Sequence, residues 1–403
     1  MLTKLSYRNI WRNKRRTLIT AASIMFAVFF STVMLSIQRG AWQNMVDSVV
    51  HFYFGYAQIH QQGYWDDQSV DNTMDLSEVD ITALAAQRGV DDLVPRLESF
   101  ALASYGTQSK GVLFIGIDPE KESALTHLDE RIVKGSFLDE GGVVLAQGLA
   151  EYLKVDLGDS VVFISQGFHG TSAVGLYPVT GIVHFPAPDL DKQLTFIHMT
   201  DAQWFFGAEN RATSLVVRIE DADELNHVTS ELKAVLPSDS YEVLDYTEMI
   251  PELLEAKAFD EAGGVIVLGL LYIIIAFGIF GTMLMMMKER EYELGILKAI
   301  GMKTRQLQWM LWLEMAILML IGSIAGMILA FPIVWYLTVN PITFTGEMAE
   351  AYEKFGVDPV MPAMIDPAIF FSQALIVLLM VTILSLYPLW KVRSLNPVTA
   401  MRH

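Results

Sequence analysis

Four stretches without a single charged residue constrain this chain more than anything else in it: residues 18–37, 262–287, 315–338 and 367–390, each 20 to 26 residues long. At ~1.5 Å per helical residue, every one of them can cross ~30 Å of hydrocarbon. Inside lipid the backbone polar groups must bond within their own segment, so an isolated run can span only as a helix. We therefore expect transmembrane helices over 18–38, 262–287, 309–338 and 367–390. This segregation reconciles two otherwise conflicting properties, a 52% hydrophobic composition with mean hydropathy +0.36 and a net charge of -18.

The basic residues orient the spans. Segments 1–17, 288–308 and 391–403 carry half of the 28 lysines and arginines and only three acids, Glu289, Glu291 and Glu293. Positive charge accumulates on the cytoplasmic side of a bilayer. Both termini and the 288–308 loop are thus expected in the cytoplasm, with 39–261 and a short loop, 339–366, exported. If Glu314 lies in a span, 42 of the 46 acids fall on the exported side. The 18–37 run exceeds the apolar core of a signal peptide, about 7–15 residues, and a poor small-x-small site follows it, which predicts an uncleaved anchor. The chain has no cysteine, so its exported part must be held by its own core.

That exported part reads as mixed α and β. Residues 111–118 read as a buried strand, 142–154 as strand then short helix, and 158–165 and 177–183 as strands bounded by turn residues. Residues 223–236 read as an amphipathic helix closed by Pro237. Residues 38–54 and 251–261 read as helical extensions of the neighbouring spans, a stalk.

The sequence contains no phosphate-binding loop, no dinucleotide fingerprint, no His-Glu-x-x-His and no Gly-x-Ser-x-Gly. Its eight histidines show no metal-ligand spacing, and no metal site is expected. The six basic residues of the first 16 interleave with Leu2, Leu5, Ile10 and Trp11 just before a span. That pattern fits an interfacial helix on anionic lipid, with no nucleic-acid partner. Glu314 has two readings: a carboxylate at the interface, or the partner of a basic residue in the 288–306 loop. Met283–Met287 suits adaptable packing. Gly264, Gly269, Gly278, Gly281, Gly322 and Gly326 would let helices approach closely.

Between the second and third runs lies a charge-dense amphipathic segment, 288–301, KEREYELGILKAIG. It resembles the signature of FtsX/MacB-type permeases of ATP-binding-cassette (ABC) transporters, roughly Glu-Arg-x-x-Glu-Ile-Gly-x-Leu-x-Ala-x-Gly. Glu289, Arg290, Glu293, Gly295, Lys298, Ala299 and Gly301 stand in the matching places. The segments 5–17 and 391–402 resemble the start and end of such permeases, and 111–118 with 146–162 resemble the MacB-type periplasmic core domain. Residues 55–64, GYAQIHQQGY, resemble the lipoprotein-releasing (LolC/LolE) branch. The fold class implied is an α-helical membrane protein with four transmembrane helices and a large exported, mixed α/β MacB-like domain.

The resemblance implies a bacterial inner-membrane permease without its own ATPase site. Two copies of a separate cytoplasmic ABC ATPase would bind ATP and Mg, and this chain would bind no cofactor. A second permease subunit, identical or homologous, would complete the assembly. Glu289, Arg290, Glu293, Gly295, Lys298 and Gly301 would couple to the ATPase, and the stalk would carry the motion outward. The cargo implied is a periplasmic lipoprotein, passed to a carrier, with membrane lipids as surroundings. Acyl chains would enter between the first and second spans, where Phe26, Phe29, Phe30, Met34, Leu268 and Ile275 are the candidate lining. Two other family activities fit the same resemblance: MacB-like efflux of peptides, toxins or antibiotics, and an FtsX-like relay to a cell-wall hydrolase.

Overall fold

The computed structural model describes residues 14–138, 141–185, 188–219, 224–346, 349 and 360–394. The N-terminal interfacial helix expected over 1–17 falls mostly outside the described residues, as do 395–403 of the tail and most of the loop after 346. The chain forms two units, one of residues 1–43, 256–343 and 360–403, the other of 44–255 and 344–359.

In chain order, the principal elements begin with helix α1 (Lys14–Val49), followed by one π-helical turn, Val50–Phe54. Strands β1 (Ala57–Gln61), β2 (Val90–Tyr105) and β3 (Gln108–Ile117) precede α2 (Pro119–Thr126). Then come β4 (Ile132–Gly135), β5 (Val143–Ala146), α3 (Gln147–Leu153), β6 (Ser160–Gln166) and β7 (Ser172–Val183). The domain closes with β8 (Leu194–His198), α4 (Met199–Phe206), β9 (Ser214–Ile219), α5 (Leu225–Val235) and β10 (Tyr241–Asp245). Helices α6 (Pro251–Glu289), α7 (Glu291–Ala299), α8 (Thr304–Val339) and α9 (Pro367–Arg393) complete the chain.

The folded domain is built on one ten-stranded sheet, ordered β10-β1-β9-β2-β3-β8-β5-β7-β4, with β6 pairing β2 and β7. Two pairs are parallel, β3 with β8 and β5 with β7. The 16-residue β2 organises it. Its first half pairs β9 (Leu93 opposite Val217), and its second half pairs β6 (Leu102 opposite Ile164). Each half feeds a separate apolar core. Ala57, Ile59, Leu93 and Val217 pack with Val228 and Leu232 of α5, while Phe114, Phe163, Phe196 and Phe206 centre the larger core. The second core depends on Gly116: a Cβ there would lie 2.3 Å from Ala202 Cβ, so only glycine lets α4 lie flat on β3. Asp118 starts α2 by accepting from the backbone N–H groups of Glu120 and Lys121, with Pro119 at the first helical position.

In the other unit α1, α6, α8 and α9 are each long and apolar enough to cross a membrane. They share one core of Ile24, Val28, Ile279, Met283, Met286, Met315, Leu318, Met319, Val377 and Val381. Three of the expected glycines serve close packing. A Cβ on Gly322 would fall 2.7 Å from Ile24 Cβ, one on Gly326 2.7 Å from the Met25 carbonyl oxygen, and one on Gly264 2.4 Å from the Gln38 amide nitrogen. At Gly269, Gly278 and Gly281 a Cβ would meet nothing within 4 Å, so these three serve no close approach among the described helices of this chain. They lie on α6, whose apolar surface is largely exposed within this chain. Beyond the bilayer-length stretch, α1 and α6 meet through polar groups, with Asp260 accepting from Gln38 at 2.8 Å and Trp42 at 2.7 Å.

Candidate functional site

The amphipathic segment is shorter than the expected 288–308 helix. Residues 288–289 end α6, 304–308 begin α8, and only Glu291–Ala299 form a helix of their own, α7. Two backbone breaks set these limits. Arg290 leaves the helical region at φ -100°, ψ 1°, and Gly301 takes φ +103°, which an L side chain rarely adopts. The chain reverses there, with the Gly301 N–H donating to the Lys298 carbonyl and the Met302 N–H to that of Leu297.

One face of α7 anchors it. Leu294 is buried and Leu297 half-buried, against Met287 of α6, Leu307, Met310 and Leu311 of α8, and Val392 of α9. Gln308 adds a bond to the Leu389 carbonyl at 2.8 Å. The polar anchor is an ion pair. The Arg290 guanidinium, 5% exposed, donates to the Glu314 carboxylate, 3% exposed, and its Nε lies 4.0 Å from Glu293. Of the two readings of Glu314, the structure selects the partner of a basic loop residue. Its side chain would be costly to bury alone and is neutralised in place.

The expected coupling residues thus divide. Arg290 and Gly295 are buried and build the anchor. Glu289 and Gly301 are exposed, and Glu293 and Lys298 are half-exposed. Lys288 pairs with Glu291 at 3.0 Å across the α6–α7 junction. Sequence reasoning passed over Tyr292 and Ile300, which remain 51% and 78% exposed on the outer side of the segment. Their signal was available: the apolar residues outnumber those that the inward positions Leu294 and Leu297 can bury.

The residues expected to line a cargo cavity do not gather into one group. Phe26, Phe29 and Phe30 form a ring cluster on α1, with centroids 5.0 and 6.0 Å apart along the chain of contacts. Phe26 and Phe30 are half-exposed, and Phe29 packs with Val33 and Ile37 on the cluster of Ala330 and Val334. Met34 is half-buried and Leu268 buried, while Ile275 packs on the four-helix core. Among the described residues no group of three or more histidines, aspartates or glutamates could hold a metal ion.

Two family models match the chain. The model for the MacB-like periplasmic core domain matches residues 17–235, and that for the FtsX-like permease C-terminal region matches 265–397. Among curated relatives, the lipoprotein-releasing system transmembrane protein LolC of Neisseria meningitidis is 22% identical over 96% of this chain and 94% of its own length. LolC of Xylella fastidiosa is 25% identical over 77% of each chain. The solved periplasmic region of MacB from Actinobacillus actinomycetemcomitans aligns with 51% of this chain and 95% of its own, at 16% identity and a TM-score of 0.35. Four membrane-length helices, a mixed α/β domain and these two matched regions together cover nearly all of the chain, which belongs to the FtsX/MacB-type ABC transporter permeases of the inner membrane, with a MacB-like periplasmic core domain.

Proposed function

We propose that this chain is the permease subunit of a machine that lifts lipoproteins out of the inner membrane, driven by ATP hydrolysis on a separate cytoplasmic ATPase. The observation that carries it is the geometry of α7: a nine-residue helix tied to α8 and α9 by a buried ion pair and an apolar face, with Tyr292 and Ile300 left outward. A soluble partner seated on that outer side pushes directly on the four-helix core. The end-to-end similarity to proteins named as lipoprotein-releasing subunits supports the cargo class.

In this reading both termini and α7 face the cytoplasm, and two ATPase copies, which bind ATP and Mg, dock on two permease subunits. Glu289, Glu293 and Lys298 meet the ATPase, while Arg290, Gly295 and Gly301 fix the shape and angle of α7. The unbroken α1 and α6 carry the motion to the periplasmic domain. Acyl chains lie against Phe26, Phe29, Phe30, Met34, Leu268 and Ile275, where a polar substitution at Phe30 or Met34 weakens cargo capture. Capture unchanged across all six would remove them from the path.

The test is affinity purification from native membranes in mild detergent, with mass spectrometry of the eluate. An ATPase together with acylated lipoproteins is expected. An ATPase with a periplasmic adaptor or a cell-wall hydrolase, and no lipoprotein, would contradict the reading.

A further inference from the structure

The periplasmic domain contains a cavity of about 320 Å³, at the small end of ligand-binding pockets. Strand alternation on β1 builds one wall. Ala57 and Ile59 turn to the core beneath α5, which sends Gln58 and His60 to the opposite face, where both line the cavity. Tyr53, Phe54, Tyr64, Trp65 and Phe100 supply aromatic walls. The His60 ring stacks on Tyr64 at 4.9 Å and 15° and lies 5.6 Å from Trp65.

Two acceptors in this cavity lack donors. His60 is 1% exposed, and its Nδ1 sits 2.9 Å from the Thr213 carbonyl oxygen. A carbonyl can only accept, so Nδ1 carries the proton and Nε2 is the bare acceptor. Nε2 has no hydrogen-bond partner among the described residues. Burial keeps the ring neutral, lowering its pKa to about 4. The second acceptor is Glu98. Its Oε2 receives the Tyr53 hydroxyl at 2.5 Å, whereas Oε1 accepts no hydrogen bond among the described residues. The neighbouring cation, Arg96, stands 3.7 Å from Oε1 but is committed to Glu122 through bonds of 2.9 and 2.7 Å. One arginine thus faces two carboxylates, and Glu98 is the one left short of a cation at the cavity wall: burial raises its pKa, and a cation in the cavity would favour its charged form.

Electron-rich ring faces, a surplus carboxylate and an acceptor-only imidazole call for a ligand with positive charge and N–H donors together. We infer that this cavity binds a protonated primary amine, its ammonium donating to Glu98 and His60 and its carbon chain lying among the aromatic rings. A quaternary ammonium lacks the donors and an alcohol lacks the charge, so neither satisfies both groups. The amine of a free diamine and that of a lysine side chain share this chemistry. The site is independent of α7 and of the candidate cargo residues, and it also gives a use to residues 55–64, which otherwise stood only as a branch resemblance.

The experiment is calorimetric titration of the full chain in phosphatidylglycerol nanodiscs, whose headgroups carry no amine. Cadaverine and Nα-acetyl-lysinamide are the probes, and 1-hexanol and tetramethylammonium the controls. At least one amine is expected to bind about ten-fold or more tightly than either control. Binding of both probes assigns the site to amines at large, and binding of the lysine derivative alone assigns it to peptide. Glu98→Gln should weaken the amine about ten-fold, and Phe100→Ala, at a position already 58% exposed and so tolerant of truncation, should weaken it severalfold. The inference is overturned if a control binds as well as the amines. It is equally overturned if neither amine binds at millimolar concentration, or if Phe100→Ala and a folded Glu98→Gln both keep full affinity.

Discussion

Arg96 in the periplasmic domain and Arg290 beside α7 have nearly the same burial, with side chains 1% and 5% exposed, yet they are held in different ways. The Arg96 guanidinium is fully engaged. Nε and Nη2 grip Glu122, Nη1 donates to the Tyr53 carbonyl, and Glu122 is braced in turn by Thr126. Among the described residues Arg290 donates to one carboxylate, Glu314, and only approaches Glu293. A bidentate, fully bonded pair fixes one geometry, because every alternative leaves a buried charge unsatisfied. The Arg290–Glu314 pair stands instead where α6 gives way to α7, with Glu293 beside it. We read the first as a rivet and the second as a junction pair.

The largest effect is expected at Arg96. Arg96→Met leaves Glu122 buried and unpaired and should cost about 3–5 kcal/mol, measured by urea unfolding of the full chain with pulse proteolysis. An unchanged midpoint would remove the rivet. Arg290→Met, by contrast, should leave the domain's midpoint in place.

The next effect is pH dependence. The folded His60 has its pKa lowered to about 4 by burial, below the ordinary value near 6.5. The unfolded chain therefore binds the extra proton first. The stability held by neutral His60 is complete above pH 6.5, falls as the pH drops toward 4, and amounts to about 3 kcal/mol across that window. His60→Gln should lack this component, and parallel acid profiles for the two proteins would refute it.

A smaller change is expected in the membrane unit. Gly322→Leu forces a side chain against Ile24 and should cost about 1–3 kcal/mol by overpacking. Gly278→Leu, where a Cβ meets nothing, should be tolerated; equal thermal shifts for the two would deny that α1 and α8 pack there. The smallest effect on stability belongs to Tyr292→Ala, within about 0.5 kcal/mol since its side chain is half-exposed. Its effect should fall on ATPase association, read by co-purification.

The spans were legible in the sequence because lipid demands long charge-free helices, and four such runs carry no charge to blur them. The strand and helix at 142–154 were legible from the glycines that precede them, whereas the strand expected over 177–183 begins earlier, at Ser172, with Gly175 and Gly181 inside it. The close approach of Gly322 and Gly326 was legible as a motif, but its partner was not, since nothing in a glycine names the helix it faces. Arg290 and Glu314 drew notice because a carboxylate near a span is rare. Arg96 and Glu122 did not, for in a polar region charges usually mean a solvated face. His60 and Glu98 come to line one cavity only because β9 pairs with both β1 and β2, and no local pattern encodes that closure.

We propose that α7 transmits force between an ATPase and the four-helix core. The most direct test is ATP turnover of the reconstituted complex carrying Glu293→Lys or Gly295→Trp, with the domain's urea midpoint measured alongside. We predict that stimulated turnover falls about ten-fold, the order expected when a docking contact worth about 1.4 kcal/mol or more is lost, while the midpoint holds. Normal stimulated turnover in both variants would contradict the claim.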